Sequence, residues 1–286
     1  MTQRTGVCSW SLQPTGPEDL AAKVRETGAD AIQLALDPIR TREWDEEETV
    51  AILKREGIAI LSGMMAMEGE DYSTLDSIRR TGGVRLDATW EDNRAAAADN
   101  AALADRLGVG LVTFHAGFLP HESGDPVRGI MIERLRTVAD RFAAVGIDVG
   151  LETGQETAET LLDVLEELAR PRIGVNFDPA NMILYGMGDP IASLEKLAPY
   201  VRQVHIKDAA PTSARGEWGT EVPVGKGFVD WEGFFDCLTR CKVGVDWIVE
   251  REAGDRRVQD VRTALTLIER QAAGKDRAGK DREVGA

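Results

Sequence analysis

Four side chains of metal-binding type stand at the ends of short apolar runs. Glu152 closes Ile147–Leu151, Asp178 follows Ile173–Phe177, His205 follows Val201–Val204 and Glu250 closes Val245–Val249. An ionisable group placed directly after a buried strand lies at the rim of a sheet, where α/β enzymes keep their chemistry. A single such carboxylate is more often solvated or ion-paired than metal-bound, but four on successive runs are not independent of one another. Three carboxylates and one imidazole make an oxygen-rich set with one nitrogen. That set suits Mn²⁺ or Mg²⁺ better than structural Zn²⁺, although Co²⁺ or Zn²⁺ can also occupy it. An ion so held is a Lewis acid for a carbonyl oxygen.

Strand periodicity leaves a choice within this set. Side chains two apart share a face, so Glu250 with Glu252, and His205 with Lys207, are alternatives. Glu250 and His205 are favoured because each directly follows its apolar run. Lys207 and Asp208 are then left to contact substrate or to pair with each other. His115, after Val109–Phe114, is either a core histidine at the sheet rim or a substrate contact.

The elements that must position these groups repeat as strand then helix. Strands are expected over Thr5–Leu12, Asp30–Leu36, from Ile58 into Met65, Val109–His115, Ile147–Glu152, Ile173–Phe177, Val201–Val204 and Val245–Glu250. Helices are expected from Pro17, over Asp45–Glu56, Trp90–Leu107 and Asp125–Val145, from Gly154 to Leu168, over Pro190–Ala198, from Asp230 and over Val258–Ala272. Pro17 with Glu18 and Asp19 marks a helix start, and Gly28, Gly57, Gly108 and Gly146 mark ends. A polar stretch between Glu68 and Gly83 reads as a loop with one short helix, and Ala209–Gly227 as a Gly-rich loop. Eight such units match a (β/α)8 TIM barrel, whose usual length is ~250 residues. A doubly wound sheet is the rival, but it would not place ligands on so many strand ends. The chain shows no GxGxxG after its first strand and no GxxxxGK[ST]. Without an internal linker, residues 1–274 read as one domain, followed by a charged, frayed tail over 275–286.

The 286 residues carry a net charge of −15, with 43% hydrophobic and 29% charged residues. This is the composition of an ordinary globular protein. Its acidity argues against a nucleic-acid surface or docking on anionic lipid. No apolar run approaches the roughly 20 residues that span a bilayer. The three cysteines lack metal or disulfide spacing, and the first residues lack a signal-peptide apolar region, so a reduced, cytoplasmic protein is expected.

Seven segments carry a resemblance: Gly6-Val-Cys-Ser-Trp-Ser-Leu, His115-Ala-Gly-Phe, Leu151-Glu-Thr-Gly-Gln-Glu, Asn176-Phe-Asp-Pro-Ala-Asn, Val204-His-Ile-Lys-Asp, Gly225-Lys-Gly and Ile248-Val-Glu-Arg-Glu. From Gly6 to Leu267 the chain resembles the xylose-isomerase-like sugar phosphate isomerase/epimerase superfamily, which includes D-tagatose 3-epimerase, inosose isomerase and hydroxypyruvate isomerase. The resemblance implies metal ligands at Glu152, Asp178, His205 and Glu250, with the two glutamates as the acid–base pair. The implied substrate is a small carbohydrate or keto-polyol, and the implied assembly a homodimer or homotetramer. Where the epimerases carry Asp-x-x-His, this chain has Asp178-Pro-Ala-Asn181. Asn181 can hydrogen-bond a hydroxyl or carbonyl but cannot transfer a proton.

The expected reaction is isomerisation or epimerisation through a metal-stabilised enediolate. A leaving group β to the carbanion would turn the same site into a lyase or dehydratase, the main rival. An endonuclease-IV-like nuclease needs a His-rich zinc site and a basic groove, which three histidines and this charge do not supply. A non-catalytic sugar-binding barrel is the remaining alternative. Trp10, Met65 and Trp218 either wall the substrate pocket or fill the barrel mouth. Glu156 is a substrate contact or a helix-capping acid, and Arg215 is a candidate for anionic substrate groups.

Overall fold

The computed structural model describes residues 3–214 and 216–283. In chain order the elements are β1 (Thr5–Cys8), α1 (Pro17–Thr27), β2 (Ala31–Ala35), α2 (Asp37–Arg40), α3 (Glu46–Arg55), β3 (Ala59–Met64), α4 (Leu75–Thr81), α5 (Trp90–Arg106), β4 (Leu111–Phe114), α6 (Pro126–Ala143) and β5 (Asp148–Glu152). They continue with α7 (Ala158–Leu168), β6 (Ile173–Phe177), α8 (Pro179–Leu184), α9 (Pro190–Leu197), β7 (Val201–Ile206), β8 (Asp208–Ala210), β9 (Thr220–Val222), α10 (Trp231–Arg240), β10 (Trp247–Val249) and α11 (Arg257–Glu283). Strands β1 to β7 and β10 close a parallel barrel in the order β1-β10-β7-β6-β5-β4-β3-β2. This is the (β/α)8 TIM barrel that the repeating units predict. No helix among the described residues is long and apolar enough to cross a membrane.

Helix ends follow the residues at them. Asp45, Asp125, Thr157 and Asp189 each accept a backbone N–H of the first helical turn, and Gly28 closes α1 in a left-handed conformation. Buried strand residues such as Ile32, Leu34, Phe114, Leu151, Val175 and Phe177 join a continuous apolar core. The alternate strand positions meet across the barrel and are polar. Ser62 on β3 bonds Gln203 on β7, and Gln33 on β2 reaches both Thr113 on β4 and His205 on β7. Because these side chains are buried inside the closed barrel, they must satisfy one another.

Four expectations need correction. The first strand stops at Cys8, and Ser9–Leu12 form a 3-10 turn. The Ser9 hydroxyl accepts the Ala35 N–H and the Ser11 hydroxyl that of Arg251, which pins the turn to neighbouring strand ends. The Ala209–Gly227 stretch contains an antiparallel pair, β8 with β9. Lys207 and Asp208 do not pair with each other. The Asp208 carboxylate instead accepts the N–H groups of Gly225, Gly227 and Val229 and the indole N–H of Trp231, which ties the loop back to β8. Finally, α11 runs past Gly274 and Gly279 to Glu283, since each helical Gly costs only ~1 kcal/mol relative to Ala.

The loops after β3 and β4 approach through two glycines. Gly83 (φ +62°) and Gly117 (φ +91°) are left-handed, and a Cβ on Gly83 would overlap the Ala116 carbonyl. Gly83→Ala is expected to destabilise the fold by roughly 2–4 kcal/mol through strain plus overlap. Urea unfolding measures this, and a loss under about 0.5 kcal/mol would contradict the close approach.

Candidate metal centre and active site

The chain places Glu152 at the end of β5, Asp178 one residue after β6, His205 within β7 and Glu250 one residue after β10. All four are buried, and one ligand atom from each lies within 4.8 Å of the others. His205 Nδ1 is 3.3 Å from Glu250 Oε2, 3.5 Å from Glu152 Oε1 and 3.8 Å from Asp178 Oδ2.

Local geometry aims each group. Asp178 caps α8: its Oδ1 accepts the N–H groups of Ala180 (2.8 Å) and Asn181 (3.1 Å), which turns Oδ2 toward the cluster. Asn181, one turn into α8, donates to Glu152 Oε1 (2.9 Å), and the Trp10 indole N–H donates to Glu250 Oε1 (2.9 Å). Gln33 spends its amide nitrogen on Thr113 Oγ1 (2.8 Å) and Gly63 O (3.3 Å), so its carbonyl faces His205 Nε2 at 2.8 Å. That bond keeps a proton on Nε2 and directs Nδ1 to the carboxylates. Asn176 Nδ2 lies 3.0 Å from the same nitrogen but has Glu152 Oε2 as its acceptor at 3.2 Å.

Two buried atoms in the cluster, Asp178 Oδ2 and His205 Nδ1, have no hydrogen-bond partner in the protein. Buried polar atoms are rarely left so. Their convergence with two further carboxylates fits a divalent cation with oxygen and imidazole ligands.

Lys207 is the counter-charge beside the cluster. Its Nζ, almost wholly buried, donates to Glu250 Oε2 (2.9 Å), to Asn181 Oδ1 (3.3 Å) and to Glu252. Burial opposes ionisation of both partners, yet Lys207 and His205 hold the Glu250 carboxyl well below the usual range, and Glu250 with Glu252 holds the Lys207 ammonium well above its own. Of the two glutamates that share a face, Glu250 belongs to the buried four-residue cluster, while Glu252 lies beyond Lys207 and lines the cavity.

A cavity of about 620 Å³ opens above these groups, with Trp10, Met65, His115, Asn181, Lys207 and Trp218 among its walls. His115 therefore faces the cavity. Its Nε2 is 3.7 Å from Glu152 Oε1, beyond hydrogen-bond distance, and its Nδ1 is unpartnered. Glu156 departs from expectation. It does not line the cavity, and the cap of α7 is Thr157, so Glu156 is neither a wall of the pocket nor the capping acid. Arg215 lies outside the described residues. Sequence reasoning missed Gln33 and Asn176, each a polar residue alternating with apolar ones inside a strand. It also missed Tyr72, Tyr185 and Glu221, which line the cavity from segments without strand periodicity.

Burial alone pushes the Glu156 carboxyl up to about 8 from an ordinary value near 4.5. The folded chain then keeps a proton that the unfolded chain releases between those pH values, so stability falls as pH rises from about 4.5 to about 8. Glu156→Gln is expected to remove this slope and to gain roughly 2–3 kcal/mol at pH 7 while changing little at pH 4.5. Denaturant unfolding at both pH values checks it, and an equal effect at both would refute it.

The family model for the xylose isomerase-like TIM barrel matches residues 21–271. A xylose isomerase domain protein from Planctomyces limnophilus is 32% identical, with a TM-score of 0.80 over 88% of this chain and 90% of that one. A ketose 3-epimerase from Arthrobacter globiformis is 27% identical over 234 residues, 78% of this chain and 73% of the relative. A Mycobacterium smegmatis protein of the same barrel type, in complex with magnesium, shares the fold at 21% identity, with a TM-score of 0.64 over 87% of this chain and 89% of that one. On a family match that spans both the strand ends bearing the four clustered side chains and the helices that aim them, the chain belongs to the xylose isomerase-like TIM barrel family.

Proposed function

We propose that this protein is a divalent-metal-dependent isomerase or epimerase of a sugar, ketose or keto-polyol. The observation that carries the reading is the pair Glu152 and Glu250. Both belong to one buried cluster with the unpartnered Asp178 Oδ2 and His205 Nδ1, and each is oriented by a separate donor, Asn181 or Trp10. Likeness to a ketose 3-epimerase supports the substrate class.

Glu152, Asp178, His205 and Glu250 would hold the ion, Mn²⁺ or Mg²⁺ by their donor set, and when bound it supplies Lewis acidity toward the substrate's carbonyl and adjacent hydroxyl. One glutamate removes the proton from the carbon beside the carbonyl and the other returns a proton. Return to the opposite face of that carbon gives an epimer, and return to the neighbouring carbon gives the aldose or ketose isomer. Asn181 has no proton to exchange and acts by holding Glu152. His115, with its Nδ1 unpartnered, presents a ring nitrogen to a substrate oxygen, Lys207 holds Glu250 and Asn181 in place, and burial of the whole cluster keeps bulk water from competing for the abstracted proton.

The test is incubation of Mn²⁺-loaded protein with a panel of ketoses and inososes in D₂O. Deuterium is expected at the carbon beside the carbonyl, together with an epimer or isomer. A product that has lost water or a substituent would assign the site to a lyase, and absence of exchange across the panel would overturn the reading.

A further inference from the structure

Cys8 has no part in the proposed reaction, yet it lies against the imidazole of the cluster. It ends β1, is fully buried, and its Sγ is 3.8 Å from His205 Nε2, the ring nitrogen that does not face the carboxylates. Gln33, its direct partner across the β1–β2 pair, brings Oε1 to 3.5 Å from the sulfur and 2.8 Å from Nε2. The Gln33 amide nitrogen is bonded to Thr113 and Gly63, so that oxygen is fixed in place. Glu250 completes the group: Cys8, His205 and Glu250 each present a ligand atom within 4.8 Å of the other two.

Closure of the barrel makes this a second donor set. The strands run β5, β6, β7, β10, β1, β2 around it. Glu152, Asp178, His205 and Glu250 stand on the first four of these, and His205, Glu250, Cys8 and Gln33 on the last four. The two sets overlap at His205 and Glu250. The first is oxygen-rich, and the second carries a sulfur. Cys8 and His205 are 197 residues apart, so no cysteine spacing in the sequence marks the site.

The distances suit an ion. Zn–S bonds of about 2.3 Å and Zn–N bonds of about 2.0–2.1 Å in tetrahedral geometry separate the two donors by about 3.6 Å. Cys8 Sγ and His205 Nε2 stand 3.8 Å apart. The triangle of Sγ, Nε2 and Gln33 Oε1 encloses a point roughly 2 Å from each corner, close to those bond lengths. Thiolate sulfur selects soft ions, whereas Mn²⁺ and Mg²⁺ prefer oxygen.

We propose that Cys8, His205 Nε2, Glu250 and Gln33 Oε1 form a second, thiophilic cation site, for Cd²⁺ or Zn²⁺, whose occupation excludes an ion from the four-residue cluster. A neutral imidazole offers one lone pair and keeps a proton on its other nitrogen, and Glu250 is common to both sets, so the two sites are alternatives. Binding in the second site releases the Cys8 thiol proton to solvent. It also moves the imidazole proton from Nε2 to Nδ1, where Glu250 Oε2 (3.3 Å) and Glu152 Oε1 (3.5 Å) accept it. An ion held there lies on the far side of the ring from Asp178 and Glu152, so a thiophilic ion inhibits. Only the exclusion rests on the metal reading of the cluster.

The test is titration of metal-free full chain with CdCl₂ and with MnCl₂ by calorimetry, with Cd²⁺ also followed by its sulfur-to-metal charge-transfer absorption in the ultraviolet. Cys237→Ala with Cys241→Ala leaves Cys8 as the sole thiol. The difference between the parent and Cys8→Ser gives the same reading in the native background. The band should appear with one Cd²⁺ per chain and vanish in Cys8→Ser, which keeps the side chain's size and a hydroxyl. Cd²⁺ affinity should fall at least tenfold, since even an outer-shell partner is worth about 10–100-fold, and Mn²⁺ affinity should stay within about twofold. Saturating Mn²⁺ should suppress the band. Absence of the band, a Cd²⁺ affinity that Cys8→Ser leaves within twofold, or sulfur-bound Cd²⁺ with Mn²⁺ still in place would overturn the proposal. The two levels separate cleanly. A sulfur band in a chain that takes up no Mn²⁺ keeps the thiol site and removes the metal basis of the proposed function, whereas Mn²⁺-dependent deuterium exchange without a band does the reverse.

Discussion

Glu152→Gln and Glu250→Gln are each expected to lower the rate of solvent deuterium exchange by about 10²–10⁴-fold, the usual range for losing a positioned acid or base. Gln keeps the size and one oxygen of the carboxylate but cannot carry the proton. Both residues also belong to the ligand cluster, so the measurement is paired with metal analysis of each variant. Loss of exchange with metal retained assigns the proton role, and exchange within threefold of the parent in either variant would exclude that residue from it. The two variants should differ in stability. Glu250 accepts from both Lys207 Nζ and Trp10 Nε1, whereas Glu152 accepts from the neutral amides of Asn181 and Asn176. Removing the charge opposite a buried ammonium is costly. Glu250→Gln should therefore lower the unfolding midpoint more than Glu152→Gln, softened by the contact Lys207 keeps with Glu252.

Metal removal should have the other large effect. Glu152, Asp178 and Glu250 present oxygens within 4.8 Å of one another in a buried site, beside Lys207 and His205. A cation that binds the folded chain alone stabilises it by about 2.7 kcal/mol at one hundred times its dissociation constant. For a chain of this size that corresponds to roughly 4–5 °C in the thermal midpoint. Treatment with a chelator should thus abolish exchange and lower the midpoint by that amount, and Mn²⁺ should restore both. Asp178→Asn provides the control. It keeps the cap oxygen that the Ala180 and Asn181 N–H groups need, so α8 stays in place, but it removes the charge at Oδ2 and should shrink the Mn²⁺-dependent shift. If Mn²⁺, Mg²⁺, Co²⁺ and Zn²⁺ all leave the midpoint of the parent protein unmoved, the cluster is not a metal site.

The sequence by itself determined the parts of this protein that depend on near neighbours. The helix starts after Asp125 and Asp189 are legible because a capping side chain satisfies an N–H group two or three residues away, and the start at Pro17 because proline presets the first helical turn. The (β/α)8 barrel follows from eight apolar runs separated by helix-length segments, and the ligand-type residues stand out because each ends such a run. Tertiary structure decided everything that depends on closure. Gln33 and His205 are 172 residues apart and meet only because β2 and β7 face each other across the barrel, so the direction of the imidazole is invisible in either segment alone. The same holds for Lys207 and Asp208: adjacent in the chain, they send one side chain into the cluster and the other into the loop, because neighbouring strand residues point to opposite faces. Glu156 read as a site residue from its nearness to Glu152, yet the turn into α7 carries it away from the cavity. Spacing along a strand states which residues share a face, and only the closed barrel states what that face meets.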